Sequence, residues 1–99
     1  MTGTPFHCEQ RELAGGAVAV VLHGELQADT APFARREIAQ AREHYDGALL
    51  IDLRDVATAD AFGIALLLKA QLVHDAHLVG MSPALTEAAL SSGAPTDLV

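Results

Sequence analysis

Hydrophobic and polar positions follow two rhythms along the chain. Ala17 to Leu22 is a short apolar, β-branched run that predicts a strand reaching to about Gly24. Leu49 to Leu53 is a second such run, nearly unbroken, as in a strand covered on both faces. Between them Phe33, Ala34, Ile38, Ala41 and Tyr45 recur at helical spacing. Arg35, Arg36, Gln40, Glu43 and His44 fall on the wet side of that helix. A second helix follows from Ala61 to about Leu72, its stripe made by Ile64, Leu67, Leu68 and Leu72, with Ala65 and Leu66 beside it. Phe6 to Leu13 alternates loosely and carries charges, the pattern of a protected edge strand. His77 to Met81 predicts a last strand, and Ala94 to Val99 a short strand or a docked tail.

Turn and cap residues fall where these rhythms change. Gly15-Gly16 marks a turn between two strands. Asp29 or Thr30 caps the first helix with Pro32 in its first turn, and Asp46-Gly47 closes it. After Leu53 a short turn leads to Asp60, placed to cap the second helix by accepting the N–H of Phe62 or Gly63. Ser82 caps a third helix with Pro83 in its first position, and Gly93 ends it. The order is a hairpin followed by strand, helix, strand, helix. It predicts an α/β fold: a mixed sheet of four or five strands with helices packed on it, in one domain over residues 1–99 with Met1 to Pro5 as a flexible start.

Composition narrows the class. Half the 99 residues are hydrophobic, aromatics are scarce and Trp is absent, so the core is aliphatic. The formal charge is -7, and its basic residues are interleaved with acids, as in Arg35-Arg36-Glu37 and Arg42-Glu43. Such a surface disfavours nucleic acid and anionic membranes. A single Cys8 rules out an internal disulfide and suits a reducing cytoplasm. No run approaches a membrane span and no signal-peptide pattern stands at the start.

Candidate chemistry concentrates at the corner between the central strand and its helix. Asp60 is an N-cap or a site carboxylate, and the two roles are compatible if the capped tip also docks a partner. Phe62 is an exposed interface anchor or folds back as core. Gly63, costly inside a helix turn, implies close backbone approach to the sheet or to a partner. Asp52 and Asp55 bracket the strand end as a carboxylate pair or as turn and surface groups. His74 and His77 do not converge without further ligands, and His7 and Cys8 are distant in sequence, so no metal site is expected. No nucleophile elbow and no Gly-rich phosphate loop after a strand is present, so nothing supports an enzyme or a cofactor.

The segment LLIDLRDVATADAFGIALLL resembles the central signature of STAS domains, the family of bacterial anti-sigma factor antagonists. VVLHGEL resembles the family's strand ending in Gly-Glu-Leu, and HLVGMSPAL its last main strand, turn and third helix. The family's serine after the aspartate is its phosphorylation site. Here Ala61 stands there, Phe62 replaces the second serine, and Asp60 and Gly63 match. Ala61 carries no hydroxyl, and Thr58 is the nearest alternative acceptor. The family's aspartate after Gly-Glu-Leu is Gln27 in this chain.

The resemblance implies a non-enzymatic module for transcription regulation and signalling. Its partner would be an anti-sigma factor, a serine-kinase-like ATPase, met by Thr58, Asp60, Ala61, Phe62 and Gly63 with Glu25 and Gln27 alongside. The alternative it implies is a small STAS subunit of a larger assembly, a lipid-transport ATPase complex or a stressosome-like particle. It also allows a homodimer.

Overall fold

The computed structural model describes residues 6–91, so the expectations for Met1 to Pro5, Gly93 and Ala94 to Val99 lie outside the described residues. In chain order the elements are β1 (His7–Glu12), β2 (Val18–Leu26), α1 (Ala31–His44), β3 (Leu49–Ala59), α2 (Ala61–Val73), β4 (His77–Val79) and α3 (Pro83–Ser91). The strands form one sheet in the order β1-β2-β3-β4. β1 runs antiparallel to β2, while β2, β3 and β4 are mutually parallel. A single turn of 3-10 helix with Gly15 and Gly16 at φ 74° and 79° joins β1 to β2, conformations that glycine adopts without steric cost.

Period-two alternation builds the core. Val18, Val20, Leu22 and Leu26 of β2 and Leu49, Ile51 and Leu53 of β3 are fully buried. Ala34, Ile38 and Ala41 of α1 pack with them, as do Leu66, Leu67 and Ala70 of α2 and Leu85 of α3. Ile64 and Ala89 form a small satellite cluster between α2 and α3.

Several expectations need correction. β3 does not turn after Leu53 but runs on to Ala59, with register shifts against β2 between Val21 and His23 and between Gly24 and Glu25. These irregularities let Arg54, Asp55 and Thr58 stay exposed while Val56 returns to the core. Phe33 is 57% exposed and Leu72 85% exposed, so neither belongs to its helix's buried stripe. Tyr45 is the extended residue after α1, and its hydroxyl donates to Glu12 at 2.9 Å. Gly47 does not close a helix. It lies against Gly16, where a Cβ would come within 2.6 Å of the Gly16 carbonyl. β4 is shorter than expected, three residues from His77 to Val79.

Arg42 does what its place in a mixed-charge run does not announce. Its guanidinium donates to the carbonyls of Tyr45 (3.3 Å), Gly47 (3.1 Å) and His74 (3.0 Å), joining the C-terminal ends of α1 and α2. The Tyr45 and His74 carbonyls belong to the C-cap residues of α1 and α2, at the negative ends of the helix dipoles, so a cation there is doubly favoured. Cys8 is half-buried against the core, and burial first, then the Glu37 charge, pushes its thiol up to about 11. A thiol so raised is a poor nucleophile.

Candidate functional site

The corner between β3 and α2 is assembled by Asp60. Its backbone N–H donates to the Leu26 carbonyl at 3.1 Å, which continues the β2–β3 ladder by one bond. One carboxylate oxygen accepts the Gly63 N–H at 2.9 Å and so caps α2. The other accepts the Ala28 N–H at 3.0 Å, from the loop after β2. One side chain therefore ties a helix start to a loop more than thirty residues away in sequence. Thr30 tightens that loop from within: its hydroxyl donates to the Glu25 carbonyl and accepts the Gln27 N–H, both at 2.8 Å. Thr30 is thus the residue before α1, yet its side chain holds the preceding loop instead of the helix N–H groups.

The fold brings all seven sequence-predicted site residues to this one corner. Glu25 pairs with Thr58 across the sheet, and Gln27 donates its side-chain amide to Glu25 at 2.8 Å. Thr58, Asp60 and Ala61 are exposed, and Phe62 is 66% exposed. Gly63 is buried and has no side chain to offer. A Cβ at Gly63 would fall on the Leu26 carbonyl oxygen and stand 2.9 Å from Leu26 Cγ, so the glycine is there for α2 to approach β2. Beside Phe62, a shallow groove of about 250 Å³ runs between α1 and α2, lined by Ala31, Pro32, Arg35, Ala65 and Lys69.

Asp52 and Asp55 take different partners and do not act as a pair. Asp52, 7% exposed, accepts the Arg54 backbone N–H at 3.0 Å and the guanidinium at 2.7–3.2 Å. The hydrogen bonds from Arg54 hold its carboxyl below the usual aspartate range. A carboxylate with a lowered folded pKa stabilises the fold at neutral pH, and that contribution fades as the pH falls below the unfolded value of about 4. Asp52→Asn is expected to cost about 1–2 kcal/mol in urea unfolding at pH 7. The gap to the parent chain should narrow steadily in the same measurement between pH 5 and pH 3.

The chain belongs to the STAS family: the family model described as "Mlab, STAS domain" matches residues 9–99. In structure it is similar to the anti-sigma factor antagonist SpoIIAA in its unphosphorylated form, with a TM-score of 0.69 at 17% identity, over 88% of this chain and 81% of that one. At that identity the likeness shows the fold, a STAS domain with a four-stranded mixed sheet among the described residues. No curated protein matches the chain in sequence. Among the described residues no helix is long and apolar enough to cross a membrane.

Proposed function

We propose that this chain is a non-enzymatic, cytoplasmic protein-interaction module of the anti-sigma factor antagonist kind. It binds an anti-sigma factor, an ATPase of the serine-kinase type, through the corner at residues 58–63 with Glu25 and Gln27 alongside. Family membership and the SpoIIAA-like fold support the class. The observation that carries the assignment is Phe62, a large apolar side chain 66% exposed on a corner fixed by hydrogen bonds on both sides. Exposed aromatics on a rigid frame are the usual energetic centre of an interface. Ala61, the first residue of α2, occupies the family's phosphorylated position and has no hydroxyl, so the module stays permanently competent.

The test is titration of the isotope-labelled chain with such an ATPase, read by backbone chemical shifts. Shifts should centre on residues 58–63 and 25–28. Phe62→Ala should weaken binding tenfold or more and leave the thermal midpoint within a few degrees of the parent. Ala61→Glu should stabilise α2 by about 0.3–1 kcal/mol through the helix dipole and still weaken binding, because it adds charge to the contact. Shifts centred elsewhere, or phosphate found on the corner at any residue other than Thr58, would overturn the reading.

The second reading, a permanent subunit of a larger assembly, is favoured by one observation. Phe62, Ala65, Leu72 and Val73 lie along one outward stripe of α2, interrupted by Lys69, and all are exposed. A transient antagonist remains monomeric at working concentration in size-exclusion chromatography. A subunit purified without its assembly self-associates through that stripe.

A further inference from the structure

The sheet face turned away from the core carries a cluster that plays no part in the corner. His7 and His23 are directly opposite each other in the antiparallel β1–β2 pair, and Glu9 stands two residues further along β1 on the same face. One ligand atom from each of these three residues lies within 4.8 Å of the other two. The imidazoles stack, their ring centroids 4.2 Å apart and their planes 10° from parallel. Residues this far apart in the chain give no spacing motif, and only the strand register brings them together.

Two of the three donors, His23 and Glu9, are held by polar neighbours. His23 Nε2 faces a Glu9 carboxylate oxygen at 3.0 Å, and His23 Nδ1 faces an Asp55 carboxylate oxygen at 3.2 Å. Glu9 turns its second oxygen to Arg11, whose Nε donates at 3.1 Å. A neutral imidazole donates at one nitrogen only and presents a lone pair at the other. Carboxylate oxygens at both His23 nitrogens concentrate negative charge around the ring, which favours a cation beside it. With Nδ1–H donated to Asp55, the place for that cation is the space among His23 Nε2, Glu9 and His7. Metal-ligating histidines have this arrangement: one nitrogen on the ion, the other donating to a carboxylate. Two imidazoles and a carboxylate form a nitrogen-and-oxygen set suited to zinc once the exposed His7 ring turns out of the stack, leaving a fourth position for water. The chain's formal charge of -7 favours a divalent cation on electrostatic grounds.

We infer that His7, Glu9 and His23 form a binding site for a divalent transition-metal ion of the zinc class, with Asp55 as the residue that orients His23. The site lies in the β1–β2 hairpin and on the neighbouring β3 residue, and it does not depend on the partner-binding reading.

The experiment is calorimetric titration of the untagged full chain with Zn²⁺, and with Co²⁺ as a spectroscopic reporter. One Zn²⁺ per chain is expected, with a rise in the thermal midpoint because the ion binds the folded state. His7→Gln and His23→Gln should each weaken binding at least tenfold while circular dichroism keeps the parent spectrum. Asp55→Asn should weaken it ten- to hundredfold, the range for loss of an orienting carboxylate. The double variant His74→Gln, His77→Gln should bind as the parent does. Co²⁺ should give visible bands of a four-coordinate nitrogen-and-oxygen site. The inference is overturned if the parent binds no stoichiometric Zn²⁺, or if His7→Gln and His23→Gln bind as well as the parent. It is also overturned by a sulfur-to-cobalt charge-transfer band, which would place Cys8 on the ion.

Discussion

Gly63→Ala should lower the thermal midpoint by roughly 10 °C, corresponding to about 2 kcal/mol in a domain of this size. The substitution replaces glycine inside a helix by the best helix former, a change that by propensity alone gains about 1 kcal/mol. Here the added carbon meets a backbone carbonyl, that of Leu26, which cannot turn aside as a side chain can. α2 must move off β2, and the buried Ile64, Leu66 and Leu67 move with it. Overpacking of this kind costs about 1–3 kcal/mol. Shortening the neighbour in the double variant Gly63→Ala, Leu26→Ala should bring no rescue, since the carbonyl remains. Calorimetric scans of the three chains decide it, and a midpoint at or above the parent's for Gly63→Ala would show that α2 has room to spare.

Asp60→Ala is expected to cost about 2 kcal/mol in urea unfolding. Loss of an N-cap contributes about 1 kcal/mol, and loss of the Ala28 hydrogen bond a further 0.5–1.5 kcal/mol or so. Asp60→Asn separates the two. Its single amide oxygen caps α2 about as well as a carboxylate, but it cannot also accept from Ala28, so its cost should be near half. Hydrogen exchange gives a second readout: the Ala28 amide should exchange faster in both variants, the Gly63 amide only in Asp60→Ala. Protection of both amides at the parent's level in Asp60→Ala would refute the assignment.

Much of this architecture is legible in the sequence because its signals are local. Gly15-Gly16, the Asp60 and Ser82 caps, and the apolar runs of β2 and β3 each report on their own few residues. Helix phase was less legible. α2 is apolar on nearly every side, so periodicity cannot tell which leucine faces outward, and Leu72 does. In α1 the register is set by Ala34, Ile38 and Ala41, which leaves Phe33 outside. The second half of β3 was hidden because Arg54, Asp55 and Thr58 read as a turn, and a bulged strand tolerates such residues. Thr58, Asp60, Ala61, Phe62 and Gly63 lie beside one cap signal, whereas Glu25 and Gln27 join them only through the family resemblance. The cluster of His7, Glu9 and His23 depends on cross-strand register, which no single stretch of sequence states.

Because one carboxylate serves both the α2 start and the loop behind it, the two segments of the corner cannot fluctuate independently. A partner docking on this corner, as proposed, would meet a surface whose backbone is already ordered, with little conformational freedom left to lose on contact. Encounter should then proceed without a slow rearrangement step, and differences in affinity among variants of this corner should appear mainly in how long the complex lasts.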